Sequence, residues 1–154
     1  MLEIRQATES DIQSLADLDD ECFDTYYYKK TKFSESDFQG YLRRGKSVLL
    51  VAVEDSCLIG YVAGTLRASG ARSIAHLDSI AVCSTARNKG LGDRLLNLFI
   101  ERAKQQGRHI ILLEVAKANK EGLDFFCKRG FERIGNLPEY YGRALDGILM
   151  QGSC

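Results

Sequence analysis

The stretch Asp78-Ser79-Ile80-Ala81-Val82, followed by a polar loop and then Arg87-Asn88-Lys89-Gly90-Leu91-Gly92-Asp93, decides how this chain is read. Its first part ends a strand expected over Ser73 to Val82. Its second part opens a helix with Leu91, Leu95, Leu98, Ile100 and Ala103 as apolar content, closed by Gly107. A helix start presents free backbone N–H groups and the positive end of the helix dipole, and both favour an anion. Gly90 and Gly92 let the backbone approach a phosphate closely, and Arg87 and Lys89 add charge. A P-loop is excluded, because no Lys-Ser or Lys-Thr follows these glycines. The dinucleotide fingerprint fits poorly: position 95 is leucine, and Gly90 comes eight residues after Val82. Glu114, 22 residues past Gly92, keeps a ribose-binding acid open, and a plain structural turn is the other alternative.

On the N-terminal side, Leu2 to Gln6 alternates as a short strand. Thr8-Glu9-Ser10-Asp11 resembles a capping box before a helix with Ile12, Leu15, Ala16, Leu18 and Cys22 on one face. Ser34-Glu35-Ser36-Asp37 repeats the signal before Phe38, Tyr41 and Leu42, with Gly45 as the stop. Strands Ser47 to Val53, Cys57 to Arg67 and Ser73 to Val82 are joined by Glu54-Asp55-Ser56 and Ala68-Ser69-Gly70. Turns that short join antiparallel neighbours, so this is a meander. On the C-terminal side, Ile110 to Val115 is almost wholly apolar, as a central strand covered on both faces would be. A helix from about Lys120 carries Leu123, Phe126 and Cys127 and is capped by Gly130. Phe131 to Ile134 and Ala144 to Gln151 are strands around a loop containing Pro138, the one proline. The pattern is a single α/β (α+β) domain over residues 1–154.

Lys+Arg and Asp+Glu number 21 each in 154 residues, so the overall field gives no reason to expect nucleic acid or a membrane surface as partner. No apolar run reaches membrane-span length, and Glu3 and Arg5 come too early for a signal peptide. Cys22, Cys57, Cys83, Cys127 and Cys154 are scattered without a C-x-x-C pair, which favours a reducing, cytoplasmic location and supports no metal site.

On these residues the chain resembles the GNAT acetyltransferase superfamily, whose elements run β-α-α-β-β-β-α-β-α-β-β around a mixed sheet of about seven strands with flanking helices. Arg87 to Gly92 fits the family's pyrophosphate motif, [QR]-x-x-G-x-[GA]. Ile80-Ala81-Val82 resembles the strand whose backbone pairs with the pantetheine arm, splayed from its neighbour to leave a V-shaped cofactor cleft. Leu113-Glu114-Val115, Asn119 and Gly130-Phe131 resemble later landmarks. With Tyr140-Tyr141 added, the branch most alike is the ribosomal-protein-alanine N-acetyltransferases. The resemblance is weak across Cys22 to Gly45, where the family builds its acceptor side.

It implies acetyl-CoA as acetyl donor, no metal, and contacts to the cofactor from Ile80 to Val82, Arg87 to Asp93, Asn119 and Phe126. It also implies an amine acceptor: a peptide N-terminus or, as an alternative, a small amine such as a polyamine, amino acid or drug. A CoA-binding protein with little turnover is the other alternative. Glu114, the one charge between Ile110 and Ala116, is the expected general base. His76 and His109 are bases by chemistry alone and match no family position. Asn119 is expected to cap the following helix as well. Tyr140 and Tyr141 are expected beside the acceptor, whereas Tyr26-Tyr27-Tyr28-Lys29-Lys30 reads as lid packing. The chain departs from the family at Phe126, where a tyrosine commonly protonates the leaving thiolate. Either Tyr141 or a water supplies the proton in its place, or CoA leaves as the thiolate, or this member is slow.

Overall fold

Seven strands form one sheet in the order β1-β2-β3-β4-β5-β7-β6. They are β1 (Leu2–Gln6), β2 (Ser47–Glu54), β3 (Cys57–Ser69), β4 (Arg72–Val82), β5 (Ile110–Ala116), β6 (Glu132–Leu137) and β7 (Gly147–Ser153). Helices α1 (Ile12–Cys22) and α2 (Glu35–Arg43) precede β2, α3 (Leu91–Gln105) joins β4 to β5, and α4 (Lys120–Cys127) joins β5 to β6. This computed structural model describes residues 1–23, 25–69 and 72–154. The turn expected at Ala68-Ser69-Gly70 reaches Gly70, outside the described residues. The order of elements is the expected one.

Each face of the sheet buries its own core. Leu95, Leu96 and Phe99 of α3 and Leu123 and Phe126 of α4 pack on Val62, Leu77, Leu113 and Met150. Leu15 and Leu18 of α1 and Phe38 and Tyr41 of α2 pack on Val51, Tyr61, Ala63 and Ala81. The buried stripe of α3 therefore runs through Leu96 and Phe99, while Leu98 and Ile100 are half-buried at its edge.

Two irregularities in β4 shape the molecule. Ala63 pairs with Ser79 and Gly64 with Leu77, so Asp78 is an extra residue without a partner on β3. This β-bulge reverses which side chains face which core. Before it, Ala75 and Leu77 belong to the α3 side; after it, Ile80 and Val82 pack there and Ala81 turns to the α1 side. Gly64 lies opposite the bulge, where a Cβ would come within 2.2 Å of the Phe99 ring and 2.7 Å of the His76 carbonyl oxygen. The second irregularity is a fork. β4 and β5, the one parallel pair among the described residues, are in register only at Ile74–His76 against Ile110–Leu112. Past those residues the strands part and leave a V.

Some elements differ from their sequence expectation. Phe131 is not a strand residue: its N–H bonds to the Phe126 carbonyl and that of Gly130 to Cys127, a Schellman close of α4, so β6 starts at Glu132 and runs on to Leu137. Ala144 sits at φ 60°, inside a loop folded on itself by a Leu145 to Gly142 hydrogen bond, and β7 starts only at Gly147. Helix α2 ends at Arg43, where Arg44 turns extended, ahead of Gly45. Strand β5 is covered on one face by Ile111, Leu113 and Val115, but Leu112 and Glu114 are half-buried.

Candidate active site

The V between β4 and β5 opens into a cleft of about 1160 Å³, bounded by β4 from His76 to Val82, the Arg87 to Asp93 turn, β5, α4 and the loops carrying Tyr28 and Tyr140.

At the phosphate-like end, Asn88 and Gly90 both take left-handed backbone, φ 63° and 79°. Alternating backbone hand around a helix start turns successive N–H groups toward one side, a concavity suited to an anion. Gly90 caps α3 in that conformation, which other residues adopt only with strain. Gly92 matters for a different reason, since a Cβ there would crowd the Phe125 ring at 3.1 Å. Arg87 donates from Nε to the Val82 carbonyl, 3.0 Å away, so its charge stays beside the end of β4. Lys89 is exposed and lies outside the cleft lining. The Asp93 carboxylate is engaged by Arg129, whose hydrogen bond holds it below the usual carboxylate range, and Arg129 lies 3.7 Å over the Phe125 ring. These contacts bind α3 to α4 and turn the Asp93 carboxylate to Arg129. Along β4, the edge past His76 has no strand beside it on the cleft side, so Ile80, Ala81 and Val82 border the open V.

At the apex of the fork, side chains from four elements meet. His76 Nε2 lies 2.9 and 2.8 Å from the two oxygens of Glu114, and its Nδ1 contacts Asp78. Asp78 also accepts hydrogen bonds from the hydroxyls of Tyr41 on α2 and Thr65 on β3. Glu114 accepts a further one from Tyr140 at 3.3 Å. Burial works against a charge on His76, but the hydrogen bonds and negative charges of Asp78 and Glu114 outweigh it and push its pKa up to about 9. Burial likewise opposes ionisation of Asp78, but hydrogen bonds from His76 and Tyr41 and the His76 charge hold its carboxyl below the ordinary range. Glu114 is therefore no isolated acid on an apolar strand. It is one end of a hydrogen-bonded chain, Asp78–His76–Glu114, that ties β4 to β5 where they separate. His109 is exposed at the start of β5 and lies outside the cleft lining.

Beyond the apex the wall is aromatic. The Asn119 side chain accepts from Gly122 N–H at 3.0 Å, capping α4, and its amide donates to the Tyr28 hydroxyl at 3.0 Å. Ala116 N–H donates to the same oxygen at 3.1 Å. Tyr28, Tyr141 and Tyr140 follow one another edge to face, with ring centroids 5.1 and 4.9 Å apart. Tyr141 is buried and Tyr140 half-exposed. Phe126 is buried against Phe125 and Phe131 and borders the cleft. Of the segment read as lid packing, Tyr28 instead reaches into the cleft; the Lys30 side chain lies outside the described residues.

Four residues at this site escaped the sequence reading: Tyr28, Tyr41, Asp78 and, as a partner of Glu114, His76. One signal was present, two titratable residues at alternate positions, His76 and Asp78, beside the apolar Ile74, Ala75 and Leu77. Among the described residues no group of three or more potential metal ligands is placed to hold an ion, and no helix is long and apolar enough to cross a membrane.

Known proteins resemble this chain in sequence and in fold. The sequence profile of the acetyltransferase (GNAT) family matches residues 12–131. An uncharacterized N-acetyltransferase of Methanocaldococcus jannaschii is 32% identical over 135 residues, 84% of this chain and 60% of that relative, so the chain spans less than two thirds of that protein's length. An L-methionine sulfoximine/L-methionine sulfone acetyltransferase of Pseudomonas paraeruginosa is 32% identical over 120 residues, 74% of this chain and 69% of the relative. The crystal structure of a ribosomal-protein-alanine N-acetyltransferase from Brucella melitensis superposes with a TM-score of 0.81 at 28% identity, covering 99% of both chains. The chain belongs to the acetyltransferase (GNAT) family.

Proposed function

We propose that this chain transfers an acetyl group from acetyl-CoA to a primary amine at a peptide or protein N-terminus, with Glu114 as general base. Family membership and the seven-stranded sheet support reading residues 1–154 as one acetyltransferase domain, and the scattered thiols fit a reducing, cytoplasmic setting. The residues present fit the cofactor. The N–H groups from Asn88 to Gly92 suit its diphosphate, the unpaired edge of β4 from Ile80 to Val82 suits its amide-bearing arm, and Asn119 and Phe126 border the path between. When bound, acetyl-CoA supplies an activated thioester.

The chain's own residues then have three tasks. Backbone N–H groups on the open β4 edge stabilise negative charge developing on the acetyl oxygen. Glu114, with both oxygens toward the fork, takes the proton that the amine loses, directly or through a water. Asp78 and His76 fix the orientation of Glu114. An α-amine of pKa near 7.8 costs about 1 kcal/mol to deprotonate at pH 7, and a lysine near 10.4 about 4.6 kcal/mol, so an N-terminus makes the smaller demand on such a base.

The observation that carries the proposal is the position of Glu114 at the apex of the splayed strands, facing the cleft. A peptide acceptor is supported by the aromatic mouth, where Tyr140 lines the cleft and is 50% exposed, contact area of use beyond the first residue of an acceptor. Likeness to the methionine sulfoximine acetyltransferase favours a second reading, in which the acceptor is a free amino acid analogue. A thiol-release assay with acetyl-CoA, a panel of N-terminal peptides and a panel of free amino acids and polyamines tests both. Higher kcat/KM for peptides supports the first reading, and higher values for single amino acids the second. CoA binding without turnover on any amine would contradict both.

A further inference from the structure

We infer that Tyr28, on the loop between α1 and α2, is the proton donor to the sulfur that leaves in the proposed acetyl transfer. The inference rests on that reading of the cleft and adds the acid that the reading lacks.

Breaking a thioester with an amine leaves a sulfur anion that needs a proton. Of the α4 side chains bordering the cleft, Phe125 and Phe126 have none to give, and the acids Glu121 and Asp124 are exposed. Five phenols line the cleft, and their partners differ. Tyr41 donates to Asp78, and Tyr140 donates to Glu114. The hydroxyls of Tyr27 and Tyr141 have no hydrogen-bond partner among the described residues. Tyr28 differs from all of them. Its oxygen receives two N–H donors, from Ala116 and Asn119, and it donates to no described residue, so its proton is left for the cleft.

Two further facts suit the role. Ala116 is two residues past Glu114 on β5, and alternate N–H groups of a strand point to one edge. The Tyr28 oxygen thus sits on the edge that borders the V, about 7 Å along the strand from the Glu114 backbone. Base and acid are then on one rail with room between them for a thioester. Second, an acid works only if its conjugate base is stabilised, and the two N–H donors do that for a phenolate. Burial pushes the Tyr28 phenol up while Asn119 and Ala116 pull against it. For Tyr141, burial and the neighbouring Tyr28, Tyr140 and Glu114 all push the phenol up. Edge contacts with Phe23 and Tyr141, centroids 5.4 and 5.1 Å away, hold the Tyr28 ring in place.

In the step itself, the amine nitrogen bonds to the acetyl carbon while its proton passes to Glu114. The carbon–sulfur bond breaks with its electron pair going to sulfur, and the Tyr28 proton moves to that sulfur to give the thiol. The phenolate then regains a proton from solvent, matching the one that Glu114 returns to it.

Tyr28→Phe tests the assignment with two donors, acetyl-CoA and acetyl-seleno-CoA, whose more acidic selenol leaves without needing a proton. We expect kcat on acetyl-CoA to fall about 100-fold, within the range for a positioned proton donor, and kcat on the selenoester to change little. Phe126→Tyr added to Tyr28→Phe should recover part of the loss. Replacement of Tyr28 by 3-fluorotyrosine, which preserves shape, should move the alkaline limb of the kcat profile to lower pH. In 13Cζ-tyrosine NMR, the Tyr28 resonance should shift when CoA is added. Equal losses on both donors, an unchanged kcat in Tyr28→Phe, an unmoved pH limb or a Tyr28 resonance indifferent to CoA would overturn the inference. If the wild type turns over and Tyr28→Phe matches it, this inference alone fails. A wild type that releases no thiol with any amine would sink the acetyl-transfer reading and this inference with it.

Discussion

On the proposed reading, the groups offered along the cofactor wall of the cleft, from Ile80 to Asp93, are backbone N–H groups of one contiguous segment. Along the acceptor wall they are side chains: Tyr28 from a loop, Tyr41 from α2, His76 and Asp78 from β4, Glu114 from β5 and Tyr140 from the β6–β7 loop. The first wall depends chiefly on backbone conformation and close approach, since Gly90 takes left-handed φ and a Cβ at Gly92 would crowd the Phe125 ring at 3.1 Å. The second wall depends on hydrogen bonds spanning 37, 38 and 88 residues of sequence, from Tyr41 to Asp78, His76 to Glu114 and Tyr28 to Ala116. The comparison separates binding from chemistry: damage to the first wall should show in CoA affinity, and damage to the second in turnover.

The largest effect expected is on the first wall. Gly92→Asp places a Cβ against Phe125 and a carboxylate beside the helix start. Two charges 4 Å apart near a surface repel by about 4 kcal/mol, and each 1.4 kcal/mol is tenfold, so CoA affinity in calorimetry should fall at least ~100-fold. Unchanged affinity would remove the turn from the site. On the second wall, Glu114→Gln should lower kcat at neutral pH by at least ~10-fold while CoA affinity stays nearly intact, since a general base contributes 10²–10⁴-fold. A parallel loss of affinity would merge the two walls. The smallest effect is that of His76→Gln, which should cost a few-fold in kcat and reveal the charge of the Asp78–His76–Glu114 chain. The folded pKa of His76, about 9, stands above its ordinary 6.5. Its charge therefore stabilises the fold fully below about pH 6.5, and that contribution is lost as pH rises through about 9. Thermal unfolding should show the wild type's advantage over His76→Gln shrinking across that window. An advantage that holds constant with pH would mean that His76 is not charged in the fold.

Legibility followed the same division. The strand, turn and helix from Asp78 to Asp93 are governed by near neighbours, so their order could be read from periodicity and glycine placement. The Asn119 cap was readable because a cap is local. Glu114 stood out as a lone charge on an apolar strand, but its partner did not, because the register that sets His76 beside it is decided by the β4–β5 pairing at Ile74–His76. The bulge at Asp78 was hidden for a similar reason: it lies opposite Gly64 on another strand, where a Cβ would meet the Phe99 ring of α3. Phe131 read as a strand residue because its apolar character suits a strand, whereas the Schellman close of α4 claims its N–H. Tyr28 lay in a run of three tyrosines whose different surroundings no composition could reveal.

The central claim is that one cleft holds acetyl-CoA on backbone and delivers its acetyl group to an amine through side chains. Thiol release from acetyl-CoA, followed with an N-terminal peptide panel for wild type and Glu114→Gln and paired with CoA calorimetry on both, tests it most directly. The account predicts amine-dependent thiol release by the wild type, a loss of at least ~10-fold in kcat for the variant, and CoA affinities that agree within about twofold. Tight CoA binding by both proteins without amine-dependent thiol release from either would contradict it.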